Sequence, residues 1–134
     1  MNGGREHADI GRFKGELSDL KKLSMERLVE IADAVGAAVA KKVKMNQIRR
    51  FLDGTRKVEA ELKSDAPFEK VKDQIILLRP KLAYAAGRHQ DVKELADILD
   101  AAVKSAAQTQ ENFVKLLRFM ESIIAYHRFY GGRD

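Results

Sequence analysis

The sequence contains no cysteine, no tryptophan and only two prolines among its 134 residues. The lack of cysteine excludes disulfide scaffolds, thiolate metal sites, iron–sulfur clusters and cysteine nucleophiles, and it gives no reason to expect an oxidising compartment. No apolar run approaches the roughly 20 residues that a membrane span needs, and residues 1–7 lack the hydrophobic segment of a signal peptide. We therefore expect a cytoplasmic protein that is neither secreted nor inserted in a membrane.

Strand patterns are also scarce, because Val, Ile and Thr do not alternate with polar residues over any sustained stretch. Apolar residues make up 45% of the chain and charged residues 34%, a balance typical of folded amphipathic proteins. The length suits one domain with its own core. We predict an all-α fold, a compact bundle of about five helices, with a flexible N-terminal arm over residues 1–23 and a single helical domain over residues 24–134.

Apolar residues at helical spacing predict where the helices lie. The first helix should run from Met25 to about Lys42 after an N-cap at Ser24. The second should follow an N-cap at Asn46 and end near Lys63. A third should begin around Pro67, capped by Asp65, and continue to about Ala86 with a kink at Pro80.

The last two predicted helices begin near Asp91 and near Phe113, and the final one is the longest, ending at Gly131 and Gly132. Its apolar arc is about 180° wide, more than one neighbouring helix usually covers. We therefore expect part of it to contact another copy of the chain, giving a homo-oligomer. On this arc we expect His127 to be a hydrogen-bonded, partly buried residue, and Tyr126, Phe129 and Tyr130 to serve packing or an interface.

No pattern that carries catalysis or ligand binding is present in the sequence. The chain lacks a P-loop, a nucleophile elbow, a glycine-rich dinucleotide motif and paired Glu-x-x-His motifs. The three histidines, His7, His89 and His127, have no carboxylates at metal-ligand spacing. We expect a protein that is not an enzyme and that has no metal and no cofactor.

Positive charge is concentrated in two stretches of the chain. The net charge is +5, but residues 41–57 hold seven basic residues and one acid, and residues 79–88 hold three basic residues and no acid. The remaining residues therefore carry a net charge of −4. A concentrated basic surface favours nucleic-acid backbone, with weak sequence selectivity and strong salt dependence. A solvated helix face is the alternative interpretation of the same residues.

Helical geometry places these basic residues away from the apolar face of the second helix. At 100° per residue, Arg49 and Arg56 line one side, and Arg50 and Lys57 line the next. The kink at Pro80 would turn Lys81 and Arg88 towards this helix, or it would only wrap the third helix around the core.

Two segments, 77–89 (LLRPKLAYAAGRH) and 120–132 (MESIIAYHRFYGG), resemble signature blocks of the small helical subunit of type III-A CRISPR-Cas (Csm) effector complexes. Residues 48–52 (IRRFL) resemble a third block of that family. The three blocks occur in the family's order and together cover about residues 46–132. Residues 1–44 match the family only as a variable helical lead-in.

The resemblance implies a non-catalytic subunit that stacks in several copies inside an antiviral ribonucleoprotein. In that family the small subunit touches the backbone of the duplex between guide RNA and target RNA, while other subunits cleave RNA and make second messengers. The implied partners are guide RNA, target RNA and the other Csm subunits. A stand-alone helical RNA- or DNA-binding protein and a structural adaptor are the alternatives. Carried onto this sequence, the candidate RNA-binding residues are Arg49, Arg50, Lys81, Arg88 and His89, joined by Arg56 and Lys57 because of their position on the second helix.

Overall fold

The computed structural model describes residues 9–134, which form helices and short turns with no strand among them. The all-α prediction is confirmed. A lead-in consists of a 3₁₀ turn at Ile10–Phe13, one α-helical turn at Lys14–Leu17 and a 3₁₀ turn at Leu20–Lys22. Six helices follow: α1 Met25–Val39, α2 Met45–Lys63, α3 Phe68–Ile76, α4 Leu78–Arg88, α5 Lys93–Ala106 and α6 Gln110–Phe129, with a 3₁₀ turn at Gln90–Val92 before α5.

The long helix α6 lies at the centre of the bundle and packs against α1, α2, α5 and the second 3₁₀ turn. Its residues Phe113, Leu117, Phe119 and Ile123 are fully buried. Most of the broad apolar arc is therefore covered within the chain itself, and only Phe129 and Tyr130 at its end stay exposed. The homo-oligomer stays a prediction.

The lead-in belongs to the core rather than to a loose arm. Ile10, Phe13, Leu17, Leu20 and Leu23 are all buried. The Leu20 amide donates to the hydroxyl of Ser105 on α5 at 2.9 Å, and Lys115 Nζ donates to the carbonyls of Leu20 and Leu23 at 2.7 and 2.8 Å. The prediction of a flexible arm is wrong for residues 10–23, and its first eight residues, His7 included, lie outside the described part of the chain.

The starts of the helices were predicted with mixed success. Ser24 caps α1 as expected, with its hydroxyl accepting from the Arg27 amide at 3.0 Å. The N-cap of α2 is Lys44 and not Asn46. Its first helical amide, that of Met45, donates to the Arg133 carbonyl at 2.8 Å, and Gln47 Oε1 accepts from the Lys44 amide at 3.3 Å. A distant part of the chain thus sets where α2 begins.

The predicted third helix is two helices, so the bundle has six. The chain leaves the helix after Ile76 and enters α4 at Leu78. Pro80 is the third residue of α4 and so lies in its first turn. Backbone amides in a first turn have no hydrogen-bond partner within the helix, so the missing N–H of Pro80 costs α4 no hydrogen bond. Asp65 does not cap α3, since it has a φ of 70° and lies in the turn after α2, and Pro67 is the N-cap residue of α3.

Two glycines allow close approaches that any side chain would block. A Cβ on Gly36 of α1 would lie 2.6 Å from Tyr126 Cβ and 2.9 Å from the His127 amide nitrogen of α6. A Cβ on Gly132 would lie 2.1 Å from the His127 ring. Gly131, with a φ of 89°, turns the chain back after α6, and the Gly132 amide donates to the His127 carbonyl at 2.8 Å in a Schellman closure.

Candidate nucleic-acid interface

A polar groove of about 640 Å³ lies between the first half of α2 and the end of α4. Two segments that are remote in sequence build it, since one wall comes from residues 42–50 and the other from residues 88–91, with Asp134 at the edge. Its charged side chains are mainly basic. The lining residues are Lys42, Lys44, Asn46, Gln47, Arg50, Arg88, His89, Gln90, Asp91 and Asp134.

Arg50 connects this groove to a narrower crevice that Lys81 also lines. Lys81 and Arg88 are seven residues apart on α4, which is close to two helical turns, so both lie on the same side of that helix. The structure therefore brings together four of the seven predicted site residues, Arg50, Lys81, Arg88 and His89, and all four are exposed. We refer to the groove and crevice with these residues and Lys44 as the basic groove.

Most Lys and Arg side chains of the basic groove form no ion pair with a carboxylate in the described part of the chain. Within residues 9–134, Lys44, Arg50 and Lys81 have no carboxylate within ion-pair distance, and Arg88 donates from Nη1 to the Tyr84 hydroxyl at 3.2 Å. Lys42 differs, because it pairs with Glu94 at 2.6 Å. Phosphate oxygens could approach the first four side chains without displacing a protein carboxylate, which makes them suited to backbone binding.

The remaining candidates lie on other parts of the surface of α2. Arg56 Nη2 lies 3.3 Å from Glu121 Oε2 of α6, and Arg49 is on the same side of the helix, two turns earlier. Lys57 is exposed and lies two turns after Arg50 on the same side of α2, beyond the groove. The adjacent residues Arg49 and Arg50 therefore point about 100° apart and serve different edges of the helix.

Arg79, the remaining basic residue of the stretch 79–88, faces α5 rather than the basic groove. Its guanidinium binds Asp100 through Nε at 2.8 Å and through Nη2 at 3.3 Å. These bonds to the carboxylate raise the pKa of Arg79 further above its ordinary value. Glu94, Asp97 and Asp100 of α5 are all held in ion pairs, with Lys42, Lys14 and Arg79 respectively.

Comparison with known proteins decides the family. The sequence model of the family described as Csm2 Type III-A matches residues 22–133. The chain belongs to the Csm2 family. The CRISPR system Cms protein Csm2 of Streptococcus thermophilus is 33% identical to it over 92 residues, which cover 66% of this chain and 74% of that protein. The resemblance drawn from the three sequence blocks is confirmed, and the chain is a small subunit of type III-A CRISPR-Cas.

Sequence reasoning missed Lys44 as a groove residue in this Csm2 family member. Lys44 belongs to the basic stretch 41–57, so the charge count included it, but it precedes α2 instead of lying on its basic side. It shares the groove with Arg88 only because α2 and α4 pack together. The residue pattern along one helix cannot show that Lys44 lies near Arg88. The concentration of basic residues in 41–57 was the sequence signal that could have pointed to Lys44.

The histidine and the C-terminal aromatic residues of this Csm2 chain have structural surroundings. His127 is hydrogen-bonded as predicted, since its Nε2 lies 2.6 Å from the Val43 carbonyl oxygen, but it is fully buried and not partly buried. Tyr126 packs against the core, and the Tyr130 hydroxyl donates to Asp33. Phe129 is 76% exposed and meets the Tyr130 ring edge to face at 5.0 Å.

Residues 9–134 contain no group of three or more His, Asp or Glu side chains arranged to hold a metal ion. None of the described helices combines the length and the apolar character needed to cross a bilayer.

Proposed function

We propose that this chain is a non-catalytic, cytoplasmic subunit of a type III-A CRISPR-Cas interference ribonucleoprotein that binds the RNA backbone of the guide–target duplex through its basic groove. One observation carries the proposal. Lys81 and Arg88 of α4 line the groove and its adjoining crevice together with Lys44 and Arg50 at the start of α2. Within residues 9–134 none of these four cations is ion-paired to a carboxylate, although Asp91 and Asp134 also line the groove. Family membership supplies the setting of an effector complex.

Charge and shape are sufficient for this task. When guide and target pair, base pairing reads the sequence, so a protein that follows the duplex needs contacts only to phosphate and sugar. Each Lys or Arg that neutralises a phosphate releases condensed counterions, which supplies free energy irrespective of the bases. Asn46 and Gln47 add amide donors for phosphate or ribose oxygens along the same wall.

The proposal gives this chain no chemical step. Lys and Arg side chains dominate the groove, and their positive charge attracts phosphate without any catalytic role. Cleavage and nucleotide chemistry are assigned to other subunits, and no cofactor is required here. Exposed large apolar residues such as Ile76 and Leu77 are suited to contact those subunits or further copies of this chain.

Arg49 and Arg56 form a second part of the proposed contact, on the side of α2 that lies about 100° from Arg50, while Lys57 extends the Arg50 side by two turns. A backbone that follows either side of α2 would meet Arg49 or Lys57 directly. Arg56 would exchange its bond to Glu121 for one to phosphate, so we expect it to contribute less than Arg50.

The test compares two double variants that each remove two positive charges. Arg50→Ala/Arg88→Ala alters the basic groove, whereas Lys70→Ala/Lys104→Ala alters exposed lysines of α3 and α5 outside it. Affinity for an RNA duplex is measured at several salt concentrations. We expect the groove variant to bind more weakly and to lower the salt slope by roughly 1 for each lost phosphate contact, while the control keeps the wild-type slope.

Equal slopes for the groove variant and the wild type would reject the groove as the backbone site. Co-purification separates the remaining alternatives. A type III-A subunit should bring guide RNA and the other Csm subunits with it, a stand-alone binder should bring RNA alone, and a structural adaptor should bring protein without salt-sensitive RNA binding. Light scattering over a wide concentration range tests whether copies of the chain associate.

A further inference from the structure

Tyr84 is a large aromatic residue on the surface of α4 that the core does not explain. Its side chain is 66% exposed, whereas the buried residues of this helix, Leu78 and Leu82, are 6% and 4% exposed. Isolated apolar residues on a surface need no explanation in general. Tyr84 is different because of its neighbours.

Tyr84 lies next to cations of the basic groove, although it lines neither the groove nor the crevice itself. Lys81, Tyr84 and Arg88 follow one another at spacings of three and four, so they form one stripe along α4. Arg88, which lines the groove, donates to the Tyr84 hydroxyl at 3.2 Å, and its guanidinium carbon lies 5.9 Å from the centre of the ring. Arg88 thus holds the hydroxyl, and Tyr84 as a whole stays largely exposed.

We propose that Tyr84 stacks on an unpaired base of an RNA strand whose phosphates lie in the basic groove. Every base has an aromatic face, so an exposed ring beside a basic track is a platform for single-stranded nucleic acid without sequence preference. Bases within a continuous duplex are already stacked and offer no free face. The inference rests on the proposed RNA-binding function and adds a strand preference to it.

Another exposed aromatic residue gives the contrast. Phe129 is more exposed than Tyr84, but its ring packs on Tyr130, whose hydroxyl is bound to the carboxylate of Asp33. The carboxylate of Asp33 repels phosphate, so the surface around Phe129 is less suited to an RNA backbone than the surface around Tyr84. Phe129→Ala is therefore the matched control for Tyr84→Ala.

The experiment uses the full chain, a 12-nucleotide single-stranded RNA and a continuous RNA duplex of the same length. We expect Tyr84→Ala to weaken binding of the single strand about 5- to 100-fold, the range that stacking of one base accounts for. Duplex affinity and both salt slopes should stay at wild-type values, because no phosphate contact is removed. Tyr84→Phe should keep most of the single-strand affinity since its ring still stacks, and Phe129→Ala should change neither affinity.

Three results would overturn the inference while leaving the proposed function standing. These are an unchanged single-strand affinity in Tyr84→Ala, an equal loss for single strand and duplex, and a loss of Csm protein partners with RNA binding intact, which would make Tyr84 a protein contact. Failure of the wild-type chain to bind either RNA would overturn both proposals. Normal unfolding of Tyr84→Ala in urea ensures that any loss reports on binding.

Discussion

His127 on α6 is joined to Val43, in the turn before α2, by a hydrogen bond of 2.6 Å between its Nε2 and the main-chain oxygen. Because a carbonyl can only accept, Nε2 carries the proton and the ring is the Nε2–H tautomer when neutral. Gly132 lies directly against the same ring. The hydrogen bond connects the C-terminal end of α6 to the turn before α2, next to Lys42 and Lys44 of the groove.

His127→Ala should lower the free energy of unfolding by about 2–4 kcal/mol. The change leaves a cavity and an unsatisfied buried carbonyl, and both effects destabilise. Urea denaturation followed by circular dichroism measures the difference. His89→Ala, at an exposed position, should stay within about 0.5 kcal/mol of the wild type; equal midpoints for the two variants would show that the buried bond has no energetic role.

Alanine should have opposite effects at two helical glycines. Gly36→Ala places a methyl group 2.6 Å from Tyr126 Cβ, so α1 and α6 must separate at a cost of about 1–3 kcal/mol. Gly87→Ala meets nothing within 4 Å and should stabilise the protein by about 0.5–1 kcal/mol through helix propensity. Thermal unfolding of both variants checks the signs, and a stabilised Gly36→Ala would refute the close helix crossing.

The lead-in should behave as part of the core in mutagenesis. Leu20→Ala removes a side chain with no exposed surface and should cost about 2–5 kcal/mol. Leu77→Ala, at a leucine that is 56% exposed, serves as the control and should cost far less. If the two leucines gave the same unfolding free energies, the lead-in would be a loose arm after all.

The ion pair between Glu16 and Arg27 should make a pH-dependent contribution. Arg27 Nε lies 2.8 Å from Glu16 Oε2, and this bond holds the pKa of Glu16 below its ordinary value of 4.5. Stabilisation is therefore complete above pH 4.5 and is lost as the pH falls through the lowered folded pKa. Both side chains are 41% exposed, so solvent screening limits the effect to about 0.5 kcal/mol.

Glu16→Gln tests this sign. The variant should unfold slightly more easily than the wild type at pH 7, and the difference should shrink towards zero near pH 2. Urea denaturation of both proteins at the two pH values supplies the measurement, and a difference that grows on acidification would contradict the assignment. Glu26→Gln, on an exposed residue with no ion pair inside the described range, is the control.

The sequence predicted what depends on local periodicity. The apolar pattern located the long helices because each buries one face, and Ser24 was identified because its hydroxyl reaches an amide within the same turn. The break at Leu77 was missed because the apolar residues of α3 and α4 stay in phase across it. The lead-in was misjudged because its hydrogen bonds come from Ser105 and Lys115, which are remote in sequence and leave no local pattern.

The candidate site shows the same division. Charge counting found the basic stretches, and helix geometry separated the side of Arg49 from the side of Arg50. The meeting of Arg50 with Lys81 and Arg88 depends on how α2 packs against α4, and no one-dimensional pattern contains that distance. The role of the candidate residues in RNA binding stays a prediction, and the basic groove is the part of the surface to which it applies most specifically.

The contact between the Met45 amide and the Arg133 carbonyl joins two residues that lie far apart in the sequence. During translation, α2 leaves the ribosome long before Arg133 is made. The first turn of α2 therefore acquires its last main-chain partner only when synthesis of this region is almost finished. A nascent chain would display an incompletely anchored basic groove until then, so the groove takes its final form only after Arg133 has been made.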